Sequence, residues 1–426
     1  MPKQPFGIYI HVPFCKQACS YCDFYFVTRE ELKTEYVDAL CLQIMTELPD
    51  FAANRVLKTI YFGGGTPSRL RSVDIERILD TIGRYCSKSD VTEITLEANP
   101  DDVNKVMLKD LKSIGVSRLS MGVQSFDPEL LAFMNRAHSA EEAIHCLELI
   151  RQVDFPSFTV DLIYGNPGQS DEALITDIQK LIRFKPPHVS AYALTIEPGT
   201  RLGKAAELGR LTPTDDEIVS RHMSIVDQML DENGIHRYEV SNFARPGHEA
   251  VHNGNYWKHV PYIGFGPGAH SLDLRVNSGG KIKSAARWEM VKDIRQYVKT
   301  GAGSSEQRAV EEKQGAGSSE QRAVEEKQGA GSSEQQAGRL NIEQLSLLQL
   351  AEERLLMGLR TSDGVSMEEL KSKYDYELTP NQINWIKKQS GLVITEAGES
   401  SSGVIKIEKP SLAVADYLIL ELISRK

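Results

Sequence analysis

Three cysteines, Cys15, Cys19 and Cys22, stand at CxxxCxxC spacing directly after the apolar run from Gly7 to Phe14. Three thiolates from so short a loop can hold one face of a cubane iron–sulfur cluster. No fourth cysteine lies nearby, so one iron is left without a protein ligand. An open metal position accepts an exchangeable ligand, the same logic that separates catalytic from structural zinc sites. Two other readings compete with this one. Buried apolar cysteines have no reason to cluster beside Pro13 and Asp23. A zinc site wants a fourth ligand at close spacing, and His11, Cys41 and Cys86 do not form one.

The rest of the composition sets the context for that loop. At 426 residues the chain is long enough for two or three domains, and 41% hydrophobic with 25% charged residues is ordinary for a globular protein. A net charge of −10 argues against a non-specific nucleic-acid binder and, more weakly, against an anionic membrane surface. Six cysteines, half of them clustered, do not make a disulfide framework. A reducing cytoplasm is the expected home for iron-bound thiolates. No apolar signal segment follows Met1, and no apolar run is long enough to span a membrane, so neither is expected.

Short β-rich runs alternate with amphipathic segments. Strands are predicted at Phe6 to Val12, Leu57 to Phe62, Val91 to Leu96, Val116 to Val123, Phe158 to Ile163 and Val189 to Leu194. Helices are predicted from Glu30 to Leu48, from near Val73, and from Asp102 to Ile114. Six such repeats imply a parallel sheet with right-handed crossovers, an α/β fold of the partial-barrel kind. Each strand ends in a polar or glycine-rich loop: the cysteines, then Gly63 to Gly65, then Glu97, Gln124, Asp161 and Thr195. In barrels the chemistry gathers at those carboxyl ends. A glycine run by itself is usually a turn. After a strand and facing the cluster loop, it offers backbone that a small ligand can approach.

Past the strands, the segment Gly301 to Gln314 repeats without change at 315–328, and its first seven residues recur at 329. A period of 14 is too short for a helix-pair solenoid. Each unit is polar and cannot bury a core, so residues 301–338 are expected to be a disordered or transiently helical linker. The expected organisation is therefore a core barrel over 1–240, a barrel extension over 241–300, the linker, and a small C-terminal winged-helix-like α/β domain over 339–426. In that last domain Leu347 to Leu359 reads as a strong amphipathic helix. Without a basic recognition helix, this domain is expected to be a lid or a docking surface rather than a DNA reader.

The CxxxCxxC loop followed by a strand ending in Gly63-Gly-Gly-Thr-Pro67 resembles the radical S-adenosylmethionine (radical SAM) superfamily over residues from about 5 to 200. The resemblance implies a [4Fe-4S] cluster on Cys15, Cys19 and Cys22, with the amine and carboxylate of SAM on the open iron. It also implies one-electron cleavage of SAM to methionine and a 5′-deoxyadenosyl radical. The runs Tyr9 to Cys15, Tyr61 to Pro67, Gly122 to Asp127, Asn135-Arg136 and Asp161 to Gly165 narrow the likeness. They resemble the group that holds the oxygen-independent coproporphyrinogen III dehydrogenases and the heme chaperones. Carried over residue by residue, Tyr9, Glu97, Gln124, Arg136 and Asp161 would contact one SAM. Gly64, Gly65 and Thr66, flanked by Tyr21, would meet a second SAM in the dehydrogenase. The roles are chemically sensible, since Asp161 can accept from ribose hydroxyls and Arg136 can pair with a carboxylate. Any one of these residues taken singly could instead be a strand-end cap.

Three features separate the two branches. The dehydrogenases carry a further cysteine two residues after the third, where this chain has Phe24, and they have a longer N-terminal extension. His252-Asn-Gly-Asn-Tyr-Trp257 fits the HNxxYW motif of the heme chaperones, with Tyr238 to Ala244 and Gly264 to His270 around it. All three imply a heme chaperone that binds the cluster, SAM and heme and passes heme to an acceptor hemoprotein, with a respiratory acceptor in view. Cleavage of SAM would add an electron donor as a partner. The alternative is coproporphyrinogen III dehydrogenase, the radical oxidative decarboxylation of propionates in porphyrin biosynthesis. The motifs specify cofactor binding and leave turnover open. His252 can serve as an axial heme ligand with Tyr256 and Trp257 against the porphyrin. It can equally be a structural histidine, and His248, His259 and His270 are the other candidates.

Overall fold

The computed structural model describes residues 3–299, 338–395, 403–408, 412 and 414–425. Strands β1 (Gln4–Val12), β2 (Arg55–Gly64), β3 (Glu93–Ala98), β4 (Arg118–Gln124), β5 (Phe158–Tyr164) and β6 (His188–Ala193) pair in chain order, each parallel to the next. Helices Lys33–Ala52, Ser72–Gly83, Lys105–Ser113, Ala140–Gln152 and Asp171–Ile182 run between them. A parallel sheet needs cover on both faces, so its strands are apolar nearly throughout. In β1, Phe6, Ile8, Ile10 and Val12 are fully buried, and Phe6 meets Phe51 of the first helix edge-on at 5.6 Å.

The expected partial α/β barrel is present, and its sheet does not close. β1 borders β9 (Tyr262–Phe265) in parallel, while β6 borders β8 (Asn242–Ala244), which pairs with β7 (His236–Arg237). Beyond β9 the sheet continues through β10 (His270–Val276), β11 (Ile282–Met290) and β12 (Arg339–Gln344), antiparallel in turn. The repeat-bearing stretch expected as a linker lies, up to residue 337, outside the described residues.

Several boundaries moved for local reasons. The first helix starts at Lys33 rather than Glu30 and runs past Leu48 and through Pro49 to Ala52. That extension seats Phe51 against Phe6 and beneath the Arg55 guanidinium, 4.3 Å from the ring centre. The third helix begins at Lys105, not Asp102, because Pro100–Asp102 form a tight turn and the Asn104 side chain caps the next helix. β3 sits two residues later than expected, which puts Glu97 inside the strand's end.

A second apolar core lies in the C-terminal region. Helices Leu347–Gly358, Met367–Tyr374, Pro380–Ile386 and Ala415–Ser424 pack with a small antiparallel sheet of β13 (Val365–Ser366), β15 (Val404–Ile407) and β14 (Leu392–Thr395), in that order. Leu350, Leu355, Leu370, Ile405 and Ile419 share this core with Leu272 and Leu274 of β10. The C-terminal elements are thus seated on the outer strands of the large sheet.

Candidate functional site

The cysteine loop leaves the carboxyl end of β1 and is clamped at its base and its crown. At the base, Phe14 bridges Val27, with Cys15 N donating to Val27 O at 2.9 Å and Val27 N to Pro13 O at 2.7 Å. At the crown, Ser20 N and Oγ donate to the carbonyls of Met134 and Phe133, and Asn135 Nδ2 donates to Ala18 O at 2.6 Å. Leu202 N donates to Ser20 O from a third side. The sulfurs themselves have donors. Thr66 Oγ1 lies 3.5 Å from Cys15 Sγ, and Arg136 Nη1 lies 3.1 Å from Cys19 Sγ.

Beneath the loop opens a cavity of about 440 Å³ lined by all three cysteines and by Tyr21, Gly64, Gly65, Thr66, Glu97, Gln124, Arg136, Asp161 and Thr195. The strands thus bring nearly all the residues expected at the site to one place. Tyr9 and His252 are the exceptions. Tyr9 does not line the cavity; its ring stacks on Tyr61 at 6.2 Å and its hydroxyl pairs with His11 Nδ1 at 3.2 Å, one layer deeper.

The cavity wall is built on buried charge. Tyr61 Oη and Gly64 N donate to Glu97 at 2.7 and 3.2 Å, and burial pushes the Glu97 carboxyl up to about 7. Burial likewise raises Asp161 to about 6, against the hydroxyl of Ser120 at 3.1 Å. Arg136 spends Nη2 on Asn99 Oδ1 and Gly122 O, both at 2.7 Å. Its Nε is buried without a partner, as is Gln124 Oε1, and Gln124 holds a left-handed φ of 66° at the end of β4. Buried polar atoms without partners are rare in folded proteins. Here they belong to residues lining one cavity, so the donor set fits a small polar ligand that accepts from Arg136 and donates to Gln124.

The glycine run has a packing reason as well as a ligand reason. Gly64 has φ of 105°, and a Cβ there would lie 2.6 Å from the His11 ring. A Cβ on Gly65 would lie 2.7 Å from the Pro13 carbonyl carbon. The run lets β2 close onto the end of β1, which is what brings Thr66 to Cys15.

Burial lifts the free thiols of Cys15 and Cys22 to about 11 and about 12, so a metal must displace their protons to bind. Among the described residues no three His, Cys, Asp or Glu side chains converge as ligands of one metal ion. Cys41 and Cys146 are buried in helices, and Cys86 follows the helix Ser72–Gly83; none of them lines this cavity.

His252 lies away from this cavity. It is 1% exposed, near the amino-terminal end of the barrel. Its Nδ1 meets Thr59 Oγ1 and its Nε2 meets Tyr256 Oη, both at 2.8 Å, and its ring stacks on Tyr61 at 5.1 Å. The helix that carries it, Val251–Trp257, is pinned by Val251 N and His252 N donating to Glu93, which also pairs with Arg118. With both nitrogens engaged, His252 has the surroundings of a structural histidine.

Sequence reasoning passed over Asn99, Ser120, Tyr61 and Tyr192 as site residues, all of which line the cavity. Tyr61 could have been found from the strand period, since Thr59, Tyr61 and Gly63 alternate toward the same face as Tyr9.

The chain matches the family model described as the Radical SAM superfamily over residues 9–181. It is 38% identical over 265 residues to the heme chaperone HemW of Bacillus subtilis, covering 62% of this chain and 69% of that relative. To the heme chaperone HemW of Lactococcus lactis it is 32% identical over 375 residues, covering 88% of this chain and 86% of the relative. Among solved structures, the coproporphyrinogen III oxidase HemN of Escherichia coli superposes with a TM-score of 0.74 at 20% identity, over 100% of this chain and 91% of that one. At that identity the likeness is one of fold.

Proposed function

This chain belongs to the family of the heme chaperones HemW within the radical SAM superfamily, and from that premise we propose that it binds heme beside a cluster and SAM and delivers heme to an acceptor hemoprotein. Membership of the superfamily implies a [4Fe-4S] cluster and SAM. The observation that carries the cofactor half is the three-cysteine loop closing over a cavity whose lining includes unpartnered buried groups on Gln124 and Arg136. The heme half rests on the likeness to the heme chaperones of Bacillus subtilis and Lactococcus lactis.

Cys15, Cys19 and Cys22 would hold the cluster, which when bound supplies an open iron and one reducing electron. Arg136 stabilises negative charge on Cys19 and presents its Nε to a carboxylate. Glu97 and Asp161 hold protons or shed them near neutrality, so a cationic sulfonium or amine in the cavity would draw both toward the ionised form. Gln124 offers a free acceptor to an amine or hydroxyl. Phe24, 64% exposed at the cavity rim, stands where the dehydrogenases carry a further cysteine, and this supports the chaperone over that reaction. We place the protein in a reducing cytoplasm, as its unpaired cysteines favour. No described helix is long and apolar enough to cross a membrane.

The test is transfer itself. Protein reconstituted anaerobically with iron and sulfide is loaded with hemin and mixed with an apo b-type cytochrome, and the Soret bands of donor and acceptor are followed. Loss of the donor band with matching gain in the acceptor is expected. Failure to bind hemin, or binding without release, overturns the reading.

A further inference from the structure

A heme carrier needs an iron ligand, and the four histidines near the HNxxYW motif are not equivalent. His252 has both ring nitrogens engaged, as described above. His259 is 2% exposed, with Nδ1 at 3.4 Å from Tyr374 Oη and Nε2 at 3.8 Å from Glu353. His248 lies at the amino-terminal end of the barrel, where Arg118 at the start of β4 binds its carbonyl, far along the strands from the cysteine loop.

His270 differs from all three. It opens β10 with its side chain half exposed. The register places it on the inner face of the sheet, the face that carries Tyr9. Tyr9 pairs with Gly264 and Gly7 with Tyr262; Tyr262 pairs with Leu272, and His270 lies two residues before Leu272. His270 therefore extends the inner surface of the barrel outward by two strands from β1, which feeds the cluster loop.

The loop that delivers it is tightly built. A Cβ on Gly264 would lie 2.2 Å from His270 O, and one on Gly266, at φ of 97°, would lie 2.4 Å from His11 O. A Cβ on Gly268, at φ of 79°, would touch Tyr25 of the cysteine loop at 3.3 Å and Lys292 at 3.4 Å. Three glycines thus press this turn against His11 and Tyr25 and fix where the imidazole stands. Its Nε2 lies 3.4 Å from Glu289 Oε2, within ion-pair reach when the ring is protonated, and neither ring nitrogen makes a hydrogen bond among the described residues. Metal-bound histidines almost always give their second ring N–H to a carboxylate, carbonyl or water, which fixes the tautomer and raises ligand basicity. Lys292 Nζ lies 2.9 Å from the same Glu289 carboxylate, bringing a cation to the spot.

We propose that His270 is the axial heme ligand of this chain, oriented by Glu289, with Lys292 meeting a heme propionate and Tyr25 bordering the macrocycle. The proposal rests on the heme-carrier reading. It gives that reading a site at the rim, reachable by an acceptor, instead of in the barrel interior. An exposed ligand suits a cargo that must leave again.

The test uses the full chain reconstituted with its cluster and titrated with hemin, read by the Soret band and by low-temperature EPR of the ferric heme. His270→Ala should lose the imidazole-ligated low-spin signal while keeping wild-type iron and sulfide content, and added imidazole should restore it. Glu289→Gln should keep the ligation and shift the spectrum. His252→Phe, where it folds, should keep the wild-type heme signal. An unchanged low-spin signal in His270→Ala overturns this ligand assignment alone. A wild-type protein that binds no hemin overturns the assignment together with the carrier reading beneath it.

Discussion

The guanidinium of Arg136 donates to Cys19 Sγ at 3.1 Å while its other terminal nitrogen is locked to Asn99 and Gly122 O at 2.7 Å. A fixed cation against one thiolate stabilises the added negative charge of a reduced cluster, because hydrogen bonds and local charge set its potential. Arg136→Lys replaces a planar fork with a single flexible point charge and cannot keep all three bonds. Its cluster midpoint potential, measured by EPR-monitored titration, should therefore fall below wild type, with iron content unchanged. An equal potential would detach Arg136 from the cluster.

The cysteine assignment separates the six thiols cleanly. Alanine at Cys15, Cys19 or Cys22 should abolish cluster assembly, seen as loss of bound iron and acid-labile sulfide. Alanine at Cys41, Cys86 or Cys146 should leave both in place, since none of these lines the cavity. The reverse pattern for any of the six would displace the ligand set.

Gly64 should tolerate no side chain. Its φ of 105° would strain any residue with a Cβ, and that Cβ would clash with the His11 ring at 2.6 Å. Gly64→Ala is expected to cost about 2–4 kcal/mol in denaturant unfolding of the ligand-free protein. A change within about 0.5 kcal/mol, the usual range for surface positions, would remove the packing account of the glycine run.

Ligand-free stability should fall as pH rises toward neutrality. Burial raises the folded-state Glu97 to about 7, above its value in the unfolded chain. A carboxyl so shifted contributes stability that is full below its unfolded pKa, near 4.5, and is lost as pH rises through about 7. Asp161, raised to about 6, acts in the same direction. Glu97 still faces the cavity, which tempers the effect to about 1–3 kcal/mol. Glu97→Gln should flatten the unfolding free energy across that window, and an unaltered slope would place the proton elsewhere.

How much of this was legible in the sequence depends on the range of the interaction concerned. The strand-end residues Glu97, Gln124 and Asp161 were readable because strand period and barrel topology alone bring them to one rim. The two-residue shift of β3 was not, yet it left Glu97 at the site. Depth along a strand was harder. Tyr9 has the right face but lies one layer below the cavity, stacked on Tyr61. His252 was undecidable from its motif, because its burial depends on the Glu93–Arg118 pair, more than a hundred residues earlier, which pins its helix. The first helix runs past its expected end at Leu48 and through Pro49, where Phe51 packs on Phe6. Local signals named the chemistry, and long-range contacts decided which residues could take part.

The central claim is that this radical-SAM-type barrel carries heme rather than decarboxylating a porphyrinogen. The most direct measurement is an anaerobic incubation of reconstituted protein with SAM and a reductant, supplied in parallel with coproporphyrinogen III and with heme. Porphyrin products and retained heme are read together. The account predicts heme retained on the protein and coproporphyrinogen III recovered unchanged. Conversion to protoporphyrinogen IX would contradict it, and would mean that Phe24 in place of a further cysteine does not exclude the dehydrogenase reaction.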